Sequence, residues 1–221
     1  MDNIEAIKLR HSVRDYSDKP VEGETLLELA TIIDECNKVS GLHLQLVRNE
    51  PKAFDSALAH YGKFSGVCNY IALVGRSMPE YAEKCGYYGE KIVIEAQKMG
   101  LNTCWVALTF KKMPNAYKIR AGEKLYGVIA VGYGNSSGWP HRSKKAEKVS
   151  NLNDDSPEWF KKGVEAALLA PTAMNQQKFR LTLIGNKVEA RAGFGPYSTV
   201  DLGIVKYHFE LGSGKGREVW R

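Results

Sequence analysis

Apolar positions along the 221-residue chain fall into runs separated by polar breaks, and each run predicts an element. Leu26, Leu29, Ala30, Ile33 and Cys36 recur at helical spacing, which predicts one buried helix face; the polar residues 37–40 and Gly41 break the pattern. Residues 43–48 (HLQLVR) alternate polar and apolar, as a half-buried strand does, and 70–74 (YIALV) reads as a more buried one. Residues 89–99 (GEKIVIEAQKM) predict a helix with Ile92, Ala96 and Met99 on one face and Gly100 as its stop. Another buried strand, 126–131 (YGVIAV), is closed by Gly132 and Gly134. A polar, aperiodic connection over 135–156 follows. Ser156 and Pro157 then predict a cap and a first helical position ahead of the stripe Phe160, Val164, Ala167 and Leu168. Pro171 interrupts that helix, and 180–184 (RLTLI) alternates as a strand.

The late order repeats the early one. HLQLVRN at 43–49 lines up with RLTLIGN at 180–186, each behind an amphipathic helix. Gly89 and Gly100 bracket a helix, and so do Gly203 and Gly214, which suggests a partial internal duplication.

Composition narrows the class. Hydrophobic residues at 43% and charged residues at 25% are ordinary globular usage, and no apolar run is long enough to span a bilayer. The polar N-terminal residues suggest no secretion signal, so a cytoplasmic protein is expected. The four cysteines, 36, 68, 85 and 104, lack zinc or redox spacing and read as buried free thiols. The five histidines show no ligand spacing, so no metal is expected. A net charge of +6 is spread out except near Arg142, Lys144, Lys145 and Lys148, which favours a small anionic ligand over nucleic acid.

Candidate chemistry begins at residues 10–14, Arg-His-Ser-Val-Arg. If this segment is extended, Arg10, Ser12 and Arg14 share a face, and two guanidiniums with a hydroxyl suit a phosphate. Three further segments accompany it: 100–105 (GLNTCW), Gly132-Tyr-Gly134 with the basic 140–145 (PHRSKK), and 170–179 (APTAMNQQKF). Together they resemble the FMN-dependent nitroreductase family, whose members carry an N-terminal RxSxR, GLGTCW, a Gly-Tyr strand end followed by basic residues, and an APSxxNxQPW loop. The order departs from that family. There the APSxxNxQPW loop follows the first helix; here that place holds 37–42 (NKVSGL), and the loop stands after residue 169.

The resemblance implies an α+β nitroreductase-like sandwich, a mainly antiparallel sheet between helices. Family members are usually homodimers with FMN at the interface. The displaced loop therefore implies an internal pseudo-dimer, a monomeric chain with one FMN site. Residues 1–150 would form the FMN-binding half, and 151–221 a partial repeat completing the flavin site. Carried over by position, Arg10, His11, Ser12, Arg142 and Lys144 would gather at the phosphate. Arg14 would lie by flavin N1 and the C2 carbonyl, and Val106, Ala107 and Leu108 would present backbone N–H groups to N5 and O4. Pro171, Thr172, Ala173 and Asn175 would contact the ring from the other half. Ala107-Leu108 is bulkier than the glycines common there, and Lys178-Phe179 replaces Pro-Trp. The implied activity is an NAD(P)H-dependent oxidoreductase that passes hydride through FMN to a small acceptor, a nitroaromatic, quinone or relative, in ping-pong fashion. No side chain is expected to act as acid or base. The rivals are another flavin reaction on this fold and a non-catalytic flavin-binding protein.

Overall fold

The computed structural model describes all 221 residues. In chain order its elements are α1 (Asn3–Leu9), α2 (Gly23–Ser40), β1 (Gln45–Val47), α3 (Ala57–Tyr61), β2 (Tyr70–Arg76), α4 (Pro79–Lys98), β3 (Asn102–Val106), β4 (Glu123–Gly132), α5 (Ala146–Val149), α6 (Glu158–Ala167), β5 (Phe179–Ile184), β6 (Lys187–Ala192) and α7 (Ser198–Ser213). The chain folds into two compact units, interleaved in sequence. A sheet unit comprises Leu9–Tyr81 and Ile92–Pro140, and a hairpin unit comprises Met1–Lys8, Ala82–Lys91 and His141–Arg221. The class is α+β, with every strand pair antiparallel. No helix is long and apolar enough to cross a membrane.

In the sheet unit the strand order is β1-β2-β4-β3. Tyr70, Ala72 and Val74 face a core cluster that includes Phe54, Phe64, Val106 and Ala130, and Ile71 and Leu73 are equally buried on the opposite side. Burial on both faces is why 70–74 is an unbroken apolar run. Phe54 meets Phe64 and Tyr70 edge-on, with ring centroids 5.1 and 5.9 Å apart.

Helix α2 runs to Ser40, through residues the sequence reading placed in a break. Those polar side chains finish the helix. The Ser40 hydroxyl donates to Cys36 O at 2.6 Å, and the Asn37 amide accepts from Leu44 N and donates to Leu44 O. Gly41, at φ +69°, supplies the left-handed stop. Helix α4 starts at Pro79, ten residues ahead of the expected Gly89, and Gly203 likewise lies inside α7. These two glycines therefore bracket nothing, although Gly100 and Gly214 do follow the helix ends at φ +78° and +65°. Of the cysteines, Cys68 is exposed rather than buried: its carbonyl holds Glu50 N–H, in a loop outside the ladder.

In the hairpin unit, Phe160 of α6 and Phe209 of α7 pack at 5.9 Å, and Trp220 closes on Phe209 at 5.1 Å. Ser156 does not cap α6. Its hydroxyl donates to Asn153 Oδ1 instead, and Pro157 takes the N-cap position. Strand β6 was not expected from the sequence. It pairs with β5 across a two-residue turn in which Gly185 takes φ +60°.

Candidate functional site

The sheet unit carries the first group of candidate residues. Residues 10–14 are extended alongside β3: Val13 N–H donates to Thr103 O at 3.0 Å, and Ser12 bridges Thr103 in parallel. Val13 is buried in the core, which turns its neighbours Ser12 and Arg14 the other way. The Cys104 thiol registers that face directly. Burial raises its pKa, while Arg14, a hydrogen bond with Ser12, and Arg10 pull it back down. Arg10 is only 3% exposed, whereas Arg14 is exposed with its guanidinium 5.9 Å from the Phe64 ring centre. Gly134 allows the close approach of its neighbours, since a Cβ there would lie 2.7 Å from Val13 Cγ1 and 2.9 Å from Asn102 Oδ1. Val106 ends β3, paired with Val128; Ala107 and Leu108 follow it, and Leu108 is 64% exposed.

The hairpin unit carries the second group, and here the basic segment and the 170–177 loop are stitched together. Lys144 N–H donates to Gln177 Oε1 at 2.7 Å, and Lys144 Nζ donates to the carbonyls of Gln176 and Gln177. Arg142 O accepts from Asn175 Nδ2 and Gln177 Nε2, at 2.9 and 2.8 Å. Gln177 Nε2 also donates to Asn175 Oδ1, and Gln177 N–H donates to Thr172 Oγ1. The Arg142 side chain itself is exposed. Lys144, Asn175 and Thr172 thus spend polar groups on fixing the loop.

That loop is strained. Met174, Asn175 and Gln177 all take left-handed φ values, 52°, 51° and 44°, around a 3-10 turn at Ala173–Asn175. A non-glycine residue held there costs on the order of 1–3 kcal/mol, so something must pin each one. Two residues that the sequence reading left without a role do much of the pinning. Gln177, 3% exposed, ties the loop to the basic segment. Asp201 of α7, also 3% exposed, accepts from Ala173 N–H at 2.9 Å and from Gln176 Nε2 at 2.8 Å. Burial pushes its pKa up from 3.8 to about 6, against the pull of those two hydrogen bonds. Gln177 stood inside a quoted motif and could have been read; an Asp in the first turn of a helix carries no such signal.

The candidate residues thus form two separate groups, one in each unit: Arg10, Ser12 and Arg14 against β3, and Arg142, Lys144 and residues 171–175 around Gln177. His11 lies on the Val13 side of the segment, where a Cβ on Gly138 would meet both side chains, and so faces away from Arg10, Ser12 and Arg14. The profile of the family described as "Putative TM nitroreductase" matches residues 2–213. The chain belongs to this nitroreductase family. Solved structures agree on the fold. A "putative nitroreductase" of Thermotoga maritima is 22% identical, with 96% of this chain and 83% of that one aligned at a TM-score of 0.69. Another so described, from Desulfovibrio desulfuricans and solved in complex with FMN, is 17% identical over 71% of this chain and 99% of its own, at 0.51. A "putative NADH oxidase" of Clostridium acetobutylicum is 19% identical over 69% and 99%, also at 0.51. No curated protein sequence matches the chain. Within this nitroreductase-family chain, Gln176 Oε1 is a buried acceptor with no protein donor. A ligand N–H or hydroxyl would satisfy it.

Proposed function

We propose that the chain is an FMN-dependent oxidoreductase that takes hydride from NAD(P)H and reduces a nitroaromatic, quinone or related small acceptor. The observation that carries this reading is the extended 10–14 segment in a nitroreductase-family chain, where Ser12 bridges Thr103 and buried Val13 leaves Arg10, Ser12 and Arg14 on the other side. That donor set fits a phosphate, and the FMN complex of the Desulfovibrio protein supports flavin as its carrier. When bound, FMN supplies the hydride-accepting ring and passes the electrons on.

The chain's own residues bind and orient. Arg10, Ser12, Arg142 and Lys144 would hold the phosphate, with His11 next to them in the chain, while Arg14 would offer a cation to the pyrimidine side of the ring. Backbone N–H groups at Val106, Ala107 and Leu108 would serve the reacting edge. Pro171, Thr172, Ala173 and Asn175 would line the ring. None of these residues is asked to donate or abstract a proton.

The hairpin unit supports the idea of an internal pseudo-dimer. A Cβ on Gly86 would lie 1.9 Å from Val200 O, and one on Gly203 would lie 2.0 Å from Glu83 O. Matching 83 with 200 and 86 with 203 makes the contact reciprocal, which is the pattern of a two-fold interface. The order helix, strand, antiparallel strand, helix also recurs, as α2-β1-β2-α4 and as α6-β5-β6-α7, except that α3 stands between β1 and β2 where β5 and β6 are joined by a two-residue turn. On this reading one chain supplies both sides of one flavin site and works as a monomer.

The test is to purify the protein, record its visible spectrum, and follow NAD(P)H oxidation with a nitroaromatic or quinone acceptor. A flavin spectrum bleached by NAD(P)H and restored by the acceptor is expected. Flavin that NAD(P)H leaves oxidised would favour a non-catalytic flavin-binding protein, the reading to which the exposed Leu108 at the reacting edge lends itself.

A further inference from the structure

We propose that Asp201 is a positioning residue for the cofactor: its buried carboxylate holds the 172–177 loop in the strained shape that receives the flavin ring. The inference rests on the FMN reading above. Its basis is geometric. Asp201 reaches both ends of the 3-10 turn, with one oxygen on Ala173 N–H and the other on Gln176 Nε2, and the left-handed residues Met174 and Asn175 lie between those anchors. The same Gln176 Nε2 also donates to Pro196 O, so the amide that the carboxylate holds is tethered to the chain ahead of α7 as well.

Ionising this carboxylate inside the fold costs stability. Burial raises its pKa from 3.8 to about 6, which means the folded state favours the protonated form. The sign follows. The stability this group contributes is full below about 3.8 and is lost as pH rises through about 6. At neutral pH the charged form is a cost that the fold carries, and the loop geometry is what the charge secures.

The experiment compares wild type with Asp201→Asn and Asp201→Glu at pH 7.5, using FMN and riboflavin as probes and thermal unfolding of the flavin-free protein as the stability readout. The expectation for Asp201→Asn is an unfolding midpoint no lower than wild type, with both flavins bound about tenfold or more weakly. The ratio of FMN to riboflavin affinity stays unchanged, because the loop acts on the ring and not on the phosphate. Asp201→Glu recovers part of the loss. A lowered midpoint with unchanged flavin affinity would overturn the proposal in favour of a purely structural carboxylate. So would a loss confined to FMN. Wild type that takes up neither flavin would instead refute the cofactor reading itself, and the role of Asp201 with it.

Discussion

At the scale of single residues, the buried pair in the hairpin unit is a problem of counting protons. His208 and Glu90 are both 0% exposed. His208 Nδ1 lies 3.1 Å from Ala166 O, which can only accept, so that nitrogen carries a hydrogen. Nε2 lies 2.8 Å from Glu90 Oε1, and one proton must sit between them, as an ion pair or as a neutral acid on imidazole. Glu90→Gln supplies an N–H to the same nitrogen and should cost about 1 kcal/mol or less in urea unfolding. Glu90→Ala leaves the imidazole unanswered in the core and should cost about 3–5 kcal/mol. The site residues make a different prediction. Arg10→Lys keeps the charge and loses the planar fork, so FMN should bind about tenfold more weakly while riboflavin is unaffected; isothermal titration with both ligands checks it. The alternation expected of residues 10–14 does appear in the fold, where Ser12 bridges Thr103 and the adjacent Val13 is buried. Asp201 was not legible, because its partners are a backbone N–H and an amide 28 and 25 positions away.

At the scale of elements, the α4–α7 crossing is set by two glycines. Gly86→Ala and Gly203→Ala each drive a methyl into a backbone carbonyl, at 1.9 and 2.0 Å, which no rotamer change relieves. Each should cost about 3 kcal/mol or more, read as a lowered unfolding midpoint. The start of α4 was missed for a related reason. The buried positions of the missed turns are Tyr81, Cys85, Gly86 and Tyr88, which are not an aliphatic stripe, and Gly86 and Pro79 read as breaks. Strand β6 escaped because Val188 is its one buried position; the charges at Lys187, Glu189 and Arg191 leave too little alternation to recognise. Strands β2 and β4 were plain from sequence because their central residues are buried without interruption.

At the scale of the whole molecule, the proposed pseudo-dimer draws its support from the reciprocal contact of Gly86 and Gly203 and from an element order that recurs apart from α3. The proposed repeat is partial. Nothing like residues 10–14 precedes α6, where the chain runs Asn153-Asp-Asp-Ser-Pro157. A duplicated half without that donor set has no means of holding a second phosphate, and this ties the fold reading to the functional one. The direct test is a titration of the flavin-free protein with FMN, followed by fluorescence quenching, with chain mass measured in the same samples by light scattering. A single equivalent per chain, saturating on a monomer of 24.6 kDa, is the result this account predicts. Saturation at two equivalents per chain, or saturation that requires a dimer, would contradict it.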